Sequence, residues 1–328
     1  MLTERQNKIL KLIVEHYIKL AKPVSSNLIC KKLKCSSATV RSEMATLEEK
    51  ELLEKTHTSS GRIPSEEGYR YYVDNLMELK KMNAEDMLKL QIIFRNQQMV
   101  LSDCINQSLQ VISDMTSYAT VVLGSSSHDN LLKKIEVVPL DEDSMAVIVI
   151  TDKGHVQHKN IQLKNIDTKD ISKTVSLINN LIVGTPIDEV SSKLEYEVKP
   201  IIGQYVDQHE QIYNAFYNVF SEFTEPDINI VGKHKFLNQP EFSSIDKVKN
   251  LFSKLDDDNI VNEIKADDDN NIKVYIGSEN NIDEDITVIK TKFKTPTEEG
   301  TLAIIGPKRM EYERVVSMLE YLKENIER

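Results

Sequence analysis

A short segment between residues 36 and 50 combines the side-chain types that nucleic-acid recognition requires. Val40, Met44 and Leu47 recur at i, i+4 and i+7, which predicts a helix that buries one stripe. At about 100° per residue, the opposite side of that helix carries small and hydroxyl side chains with an arginine beside them. These residues are Ala38, Thr39, Arg41, Ser42, Ala45 and Thr46. Small side chains let a helix approach a DNA groove, where an arginine can donate two hydrogen bonds to a guanine.

Two further helices precede this segment and would hold it in place. Thr3 begins a capping box with Gln6, which predicts a first helix. Ser25 can cap a short second helix, and after a tight turn Ser36 or Ser37 can cap the third. Two helices, a tight turn and a third helix predict a helix-turn-helix, although a plain three-helix bundle has the same pattern.

A predicted β-hairpin separates these two interpretations. Its strands lie at residues 52–56 and 63–64, around a polar tip with glycine at the turn. Such a hairpin is typical of the wing of a winged helix, and it favours DNA binding over a protein-interaction winged helix. Arg62, His57 and the hydroxyl side chains of the wing would contact phosphates without reading sequence. The predicted DNA-binding residues are Ser36, Ser37, Ala38, Thr39, Arg41, Ser42, Thr46, His57, Thr58, Ser60 and Arg62.

Length and charge agree with a multidomain protein that has one basic end. The chain has 328 residues, 40% of them hydrophobic, which suffices for two or three globular domains. Its net charge is -11, yet residues 1–75 hold 13 basic and 10 acidic side chains and carry +3. The remaining residues carry -14, so the basic excess coincides with the predicted winged helix.

Several function classes find no support in the sequence. No apolar stretch approaches the roughly 18 residues of a membrane-spanning helix, and residues 1–5 do not resemble a secretory signal. Cys30, Cys35 and Cys104 suit neither a disulfide framework nor a zinc site, which predicts a reduced, cytoplasmic protein. Phosphate-binding loops, dinucleotide-binding motifs, nucleophile elbows and zinc-protease motifs do not occur. We therefore expect no catalytic residues, no metal, no cofactor and no membrane association.

Residues 81–164 and 228–328 predict a discontinuous sheet domain. One long helix is expected over residues 85–115, followed by strands and, in the last third, by a further helix, strands and a closing helix. The predicted strands cover residues 132–140, 145–151, 156–163, 272–276, 286–293 and 301–305. This order of elements suits an α+β sheet of the GAF-like class.

The segment between these halves, residues 165–227, is predicted to be an inserted and largely helical dimerisation segment. Residues 196–223 contain seven aromatic residues, whereas the whole chain has 12 tyrosines, 8 phenylalanines and no tryptophan. An insert too small for a full core of its own would bury them against a partner. The predicted contacts are Tyr213, Phe216, Tyr217 and Phe220. Packing of these aromatic residues on the parent sheet is the alternative.

Four stretches closely resemble the family of the bacterial heat-inducible transcription repressor HrcA. Ser36-Ser37-Ala38-Thr39-Val40-Arg41 and Leu47-Glu48-Glu49 are followed by residues 57–65 of the wing and by Gly68-Tyr69-Arg70-Tyr71-Tyr72-Val73-Asp74. Further matches are Leu237-Asn238-Gln239-Pro240-Glu241-Phe242, Ile276-Gly277-Ser278-Glu279-Asn280 and Gly306-Pro307-Lys308-Arg309-Met310-Glu311-Tyr312. The matches follow the family's order and cover essentially the whole chain.

The resemblance implies a homodimeric repressor of heat-shock chaperone operons, in agreement with the winged helix. Its partners would be double-stranded DNA with an inverted-repeat operator of the CIRCE type, a second copy of itself, and a chaperonin of the GroEL type that modulates its activity. It would be associated with the nucleoid when bound to DNA. A metabolite-responsive regulator with an effector in the GAF-like domain is the main alternative, and a protein-interaction scaffold is a more distant one.

Overall fold

The computed structural model describes residues 2–55, 61–79, 82–96, 99, 101–124, 130–141, 143–152, 156–162, 168–202, 209–223, 228–257, 259–266, 269–296 and 299–328. The chain divides into two compact units. The first unit consists of Met1–Leu123, Ile228–Thr295 and Thr301–Arg328. The second consists of Gly124–Asp227 and Pro296–Gly300.

The described residues form helices and strands in an α+β arrangement. The helices are α1 (Glu4–Leu20), α2 (Ser26–Leu33), α3 (Ser37–Glu49), α4 (Glu66–Tyr71), α5 (Ala84–Phe94), α6 (Leu101–Thr116), α7 (Thr168–Ile182), α8 (Ile187–Lys193), α9 (Lys199–Ile202), α10 (His209–Phe223), α11 (Ile245–Leu255), α12 (Ile260–Ile264) and α13 (Tyr312–Ile326). The strands are β1 (Leu53–Lys55), β2 (Arg62–Pro64), β3 (Ala119–Leu123), β4 (Leu132–Pro139), β5 (Ser144–Thr151), β6 (Val156–Gln162), β7 (Ile228–Val231), β8 (Lys273–Ile276), β9 (Ile286–Lys294) and β10 (Glu299–Pro307).

The caps of the first three helices follow the sequence signals in two cases of three. Thr3 and Gln6 form the predicted capping box of α1, each side chain accepting from the other's backbone N–H. Ser36 caps α3, because its hydroxyl accepts from the N–H of Thr39 at 3.1 Å. Ser25 precedes α2 but makes no capping hydrogen bond through its side chain. The apolar stripes of the three helices meet in one core.

The wing packs closely against the connection between α1 and α2. Strands β1 and β2 are antiparallel, and Arg62 exchanges backbone hydrogen bonds of 3.0 and 2.8 Å with Val24. A Cβ on Gly61 would lie 2.8 Å from the Cβ of Pro23, so the close approach requires glycine. Within the predicted wing, residues 56–60 lie outside the described residues.

Helix α4 crosses the chain that leads from α3 into the wing. Ser65 caps this helix, since its hydroxyl accepts from the N–H of Gly68 at 3.0 Å. A Cβ on Gly68 would lie 2.0 Å from the carbonyl oxygen of Leu52, so only glycine fits at this crossing. The helix continues into a π-helical turn over Tyr72–Leu76, which lengthens the buried face that the winged helix presents to the rest of the first unit.

A five-stranded sheet forms the centre of the first unit, in the order β7-β3-β10-β9-β8. Strand β10 is buried along almost its whole length because both sheet faces are covered. Leu302 and Ile304 belong to the core that includes α6, α13 and the winged helix. Ala303 and Ile305 belong to a second core, which includes α11 and α12. Successive residues of the strand thus serve opposite layers.

The single helix expected over residues 85–115 is wrong, because the structure has two helices, α5 and α6. The apolar stripe of the sequence continues from Phe94 only at Leu101, and the polar residues Arg95 and Asn96 follow directly after α5. The two helices contact each other, and Leu90 and Ile105 share one core. The two helices are therefore stabilised by packing against each other, and they do not join into a single long helix.

The second unit combines a three-stranded antiparallel sheet, in the order β4-β5-β6, with α7, α8, α9 and α10. Its core joins inward residues of β4 and β5 to the helices. This differs from the predicted boundaries, which assigned strands 132–163 to the sheet domain and limited the insert to residues 165–227. Strands β4 to β6 form a sheet of their own because α7 and α10 bury its inner face.

The aromatic residues predicted as dimer contacts lie in this core. Phe216 and Phe220 are fully buried and Tyr213 nearly so, whereas Tyr217 is partly buried. Burial raises the pKa of Tyr213 to about 12, and the ammonium of Lys199 lies 4.7 Å from its ring centroid. Since the chain itself covers Phe216 and Phe220, the assignment of these residues as partner contacts is corrected to core packing.

Candidate nucleic-acid interface

Helix α3 presents to solvent the side that the sequence predicted. Its buried residues are Val40, Met44 and Leu47. Ser36, Ala38, Arg41, Ser42 and Ala45 are exposed, and Ser37, Thr39 and Thr46 are half-buried. The exposed surface therefore consists of small side chains and a guanidinium, which is compatible with entry into the major groove.

The first turn of α3 is fixed by hydroxyl side chains. The hydroxyls of Ser36 and Thr39 lie 2.8 Å apart, in addition to the capping bond. Ser37 donates to the side-chain oxygen of Asn27 at 3.4 Å, which connects α3 to α2. The N–H groups of a first helical turn point out of the helix end, where a phosphate oxygen can accept from them. This end of α3 is thus rigid and suited to an anionic backbone.

Arg41 is held by the neighbouring helix. Its Nε donates to the hydroxyl of Ser26 on α2 at 3.3 Å. In the part of the chain that the structure describes, its two terminal nitrogens have no partner. A guanidinium that is anchored at one nitrogen loses less rotational freedom on binding, so it is preorganised for a bidentate contact.

The far end of the predicted surface is more constrained. The hydroxyl of Thr46 donates to the backbone carbonyl of Ser42 at 3.2 Å. Glu43 faces the other way and accepts from Gln6 at 3.0 Å, with Arg5 at 3.6 Å. Glu43 therefore connects α3 to the start of α1. The sequence pattern did not indicate this structural role for an acidic residue on the DNA-binding helix.

Arg62 occupies a different environment from the one predicted for a phosphate contact. Its Nε and Nη2 contact the same carboxylate oxygen of Glu48 at 2.7 and 2.6 Å, and its side chain is only 16% exposed. The ion pair joins the base of the wing to α3. The ion pair can position the wing, and the phosphate contact of Arg62 stays a prediction. His57, Thr58 and Ser60, the other predicted wing contacts, lie outside the described residues.

Three lysines extend the basic surface and were not among the predicted contacts. Lys31 and Lys32 lie in the last turn of α2, and Lys34 follows in the turn before α3. All three are exposed, and the described side chains form no ion pair with them. The signal was present as three lysines within four residues, next to the first turn of the recognition helix.

The opposite side of the winged helix contains buried tyrosines. Tyr72 is fully buried and donates to Glu313 of α13, and Tyr69 lies 6.0 Å, ring to ring, from Tyr312. Burial raises the pKa of Tyr72 far above its ordinary value, and the bond to Glu313 adds to this shift. Burial likewise raises the pKa of Tyr69 and of Tyr312. These side chains therefore remain neutral at physiological pH.

The described residues show neither a metal-binding cluster nor a membrane-spanning helix. They contain no group of three or more His, Cys, Asp and Glu side chains able to hold a metal ion, and the three cysteines are free thiols. No helix among them has the length and apolar character needed to cross a membrane.

Comparisons with known proteins match both parts of the chain. A family model described as the winged helix-turn-helix transcription repressor, HrcA DNA-binding, matches residues 1–77. Another, described as the HrcA protein C-terminal domain, matches residues 102–316. The heat-inducible transcription repressor HrcA of Bacillus pumilus (strain SAFR-032) is 37% identical over 333 aligned residues, covering 99% of this chain and 97% of the relative.

The chain belongs to the HrcA family. It is a DNA-binding, heat-inducible transcription repressor with an N-terminal winged helix, and the family is one of repressors rather than enzymes. The signature stretches at residues 237–242, 276–280 and 306–312 lie within the C-terminal match.

Solved structures support the fold. A crystal structure described as a hypothetical protein at 2.2 Å resolution has a TM-score of 0.70 at 21% identity, with 99% of this chain and 98% of that chain covered. This likeness shows a shared fold. The structure of Pseudomonas aeruginosa HmgR has a TM-score of 0.22 at 10% identity, covering 98% of this chain and 95% of that one, which is too low to support an argument about fold.

Proposed function

We propose that this HrcA-family chain represses heat-shock chaperone operons by binding, as a homodimer, to an inverted-repeat operator of the CIRCE type. The observation that carries the proposal is the outward side of α3, where Arg41 stands among small exposed side chains beside three exposed lysines. The lysines supply affinity for phosphates, and Arg41 supplies base discrimination. Two copies related by a two-fold axis match the symmetry of an inverted repeat.

A footprint on genomic DNA upstream of the chaperonin genes tests this function. We expect protection of both halves of an inverted repeat at protein concentrations that leave unrelated DNA unprotected. Two half-sites on the same side of the duplex are separated by one helical turn, about 34–36 Å, or by a multiple of that distance. Equal binding to unrelated DNA of the same length would contradict sequence-specific repression.

A second copy of the chain needs a contact surface, and the outer face of the second unit's sheet suits it. Ile148 on the central strand β5 pairs with Glu136 on one side and with His158 on the other. Val138 and Val156, at the same face, are 44% and 60% exposed. An apolar centre with a charged margin resembles a protein–protein contact. This face replaces the aromatic residues of α10 as the proposed contact.

The dimer is tested by sedimentation of an Ile148→Asp variant. We expect monomers and weakened operator binding, because a two-fold contact would place two buried carboxylates together. Asn180→Asp, at an exposed position of α7 in the same unit, adds the same charge away from this face and should remain dimeric. A dimeric, folded Ile148→Asp variant would exclude this face.

We also propose that a GroEL-type chaperonin modulates the repressor. The topology supports this, because β3 pairs with β7 and β10, strands that follow much later in the chain. Such long-range pairing slows folding and exposes apolar surface in intermediates. Purified repressor should lose operator binding over time at growth temperature, and chaperonin with ATP should restore it without joining the DNA complex. Activity that is stable alone and indifferent to chaperonin would contradict this mechanism.

Effector binding by the sheet domain has weaker support. A cleft of about 450 Å³ lies between α11 and residues 278–285. Its lysines are already neutralised, since Lys247 donates to Asp285 at 2.5 Å and Lys254 to Asp283 at 2.8 Å. The cleft has the volume for a small ligand, but both of its lysines are paired with aspartates of the cleft, so we favour the chaperonin mechanism.

A further inference from the structure

Arg309 joins the winged helix to the sheet domain through three different groups. It follows β10, and its side chain is only 13% exposed. Its Nη1 donates to the backbone carbonyl of Ile18 in α1 at 3.2 Å. Its Nε donates to Glu241 at 2.5 Å, and its Nη2 donates to the side-chain oxygen of Gln239 at 2.8 Å. One planar guanidinium thus fixes the end of α1 against the loop at residues 239–241.

A second arginine makes the reverse connection, from the winged helix to the sheet. Arg70 of the segment that follows the wing contacts both carboxylate oxygens of Glu279, with its Nε donating at 2.8 Å, and also donates to the carbonyl of Val274. Glu66, one turn earlier, accepts from the N–H of Ser278 at 2.9 Å. Gly277 is needed there, because its φ is +54° and a Cβ would lie 1.8 Å from a Glu66 oxygen.

The hydrophobic core is continuous across this junction. One cluster contains Ile13 and Leu47 of the winged helix together with Leu302 and Leu319 of the sheet domain. The predicted boundary near residue 80 is therefore not a boundary between separate cores. A winged helix on a flexible tether would have a core of its own and few directional contacts with its neighbour.

Helix α1 connects this junction to the DNA-binding surface. Its C-terminal end is held by Arg309, and near its start Gln6 and Arg5 hold Glu43 of α3. Its 17 residues span about 25 Å at 1.5 Å per residue. A tilt of α1 at the Arg309 end therefore displaces α3 at the other.

We propose that Arg309 is a positioning residue for operator binding, which fixes the direction of the recognition helix so that the repressor selects the spacing between half-sites. The inference rests on the proposed dimeric function. It accounts for the proximity of two distant signature stretches, since Arg309 from one binds Gln239 and Glu241 from another. Arg309 contacts no DNA in this proposal and acts through α1.

The test compares full-length wild type with Arg309→Lys and Arg309→Ala on a set of duplexes. The set contains the native inverted repeat, versions with one to five base pairs inserted between the half-sites, and a single half-site. Lysine retains the charge but cannot bind three separate acceptors in one plane. Lys247→Ala removes a different cation, paired with Asp285 and 53% exposed, and serves as the matched control.

Wild type and Lys247→Ala should strongly prefer the native spacing. If the Arg309 variants hold their winged helices in the correct orientation only about one tenth of the time, their affinity for the native repeat falls about tenfold relative to wild type. Their preference for native over altered spacing falls in parallel, whereas single half-site binding remains within about twofold of wild type. Partial recovery of the spacing preference by lysine would further support positioning.

Other outcomes overturn the inference. An unchanged spacing preference in a folded Arg309→Ala variant excludes positioning, and an equal loss on the half-site and the full repeat shows a merely structural role. If Arg309→Ala does not fold, Gln239→Ala removes one of the three acceptors of Arg309, together with the hydrogen bond from Gln239 to the carbonyl of Ser117. An unchanged spacing preference in that variant would exclude the proposal. If wild type itself does not prefer the inverted repeat to the half-site, the proposed dimeric function fails instead.

Discussion

The two sides of the winged helix use polar side chains in opposite ways. On the outward side, Ser36, Ser37 and Arg41 make bonds to their immediate neighbours and keep part of their hydrogen-bonding capacity exposed. On the inward side, Tyr72 donates to Glu313 and Arg70 donates to Glu279. Both partners lie more than two hundred positions away in the sequence. The comparison teaches that a binding surface is held rigid locally but keeps donors and acceptors exposed to solvent. On the interdomain surface, by contrast, polar groups such as Tyr72 and Arg70 are paired on burial, and the buried hydroxyl of Tyr69 is an exception.

Truncation of a buried tyrosine should have the largest effect. Tyr72→Ala removes a fully buried ring and leaves Glu313 without its donor, so we expect a loss of about 3–5 kcal/mol in the free energy of unfolding. Urea unfolding measures this. Ser42→Ala, on the outward side, should change that energy by less than about 0.5 kcal/mol. Equal effects at the two positions would contradict the comparison.

Of the two sides of the winged helix, alkaline pH should act on the inward one. Because burial raises the folded-state pKa of Tyr69, Tyr72 and Tyr312, the unfolded chain releases these protons first. Their contribution to stability is complete below about pH 10 and is lost as the pH rises above it. The melting temperature should fall above that pH, and Tyr72→Phe should reduce the slope. An identical slope in that variant would show that Tyr72 does not contribute.

Replacement of Arg41 should affect binding and leave folding unchanged. We expect Arg41→Ala to lose about 1–3 kcal/mol on the operator through a bidentate contact with a base. A gel shift with operator and scrambled duplexes measures the discrimination between them, and thermal unfolding serves as the control. Unchanged discrimination would exclude base reading, although a phosphate contact by Arg41 could still lower the affinity for both duplexes.

The ion pair at the wing should produce a smaller effect. If Arg62 positions the wing through Glu48, then Arg62→Gln and Glu48→Gln should each weaken operator binding by about 1 kcal/mol or less, with the same salt dependence as wild type. A direct phosphate contact by Arg62 would instead lower the salt slope by about 1 in the Arg62 variant alone. Titrations at several salt concentrations distinguish these outcomes.

The lysines beside α3 should have the smallest and least specific effect. Lys31→Ala, Lys32→Ala and Lys34→Ala should each weaken operator and scrambled DNA alike and reduce the salt slope by about 1. Lys249→Ala, at an exposed position of α11, is the matched control. A loss confined to the operator would give these lysines a role in sequence reading.

Local signals in the sequence were sufficient for the outward side of the winged helix. The stripe of Val40, Met44 and Leu47 predicts which side of α3 is exposed, and the structure agrees. Sequence spacing also found the Thr3 and Ser36 caps, because a capping side chain bonds the backbone N–H of a neighbour three residues away. The partner of Arg62 could not be found in this way, since Glu48 lies on another element and the contact depends on how the wing packs.

Longer-range relations could not be read from local patterns. The aromatic residues of α10 have the same helical spacing whether they face a partner or their own sheet, and only the packing shows that Phe216 and Phe220 are internal. Likewise, the alternation in β4 to β6 predicts strands but not the sheet to which they belong.

By itself, the amino-acid sequence determined the helix-turn-helix, the wing and the side of α3 that is available to DNA, because these depend on periodicity and on hydrogen bonds between near neighbours. Only the tertiary structure decided that the winged helix shares a core with the sheet and that Arg309 connects α1 to the loop at residues 239–241. Such contacts join residues far apart in the chain, so their geometry exists only after the elements have packed.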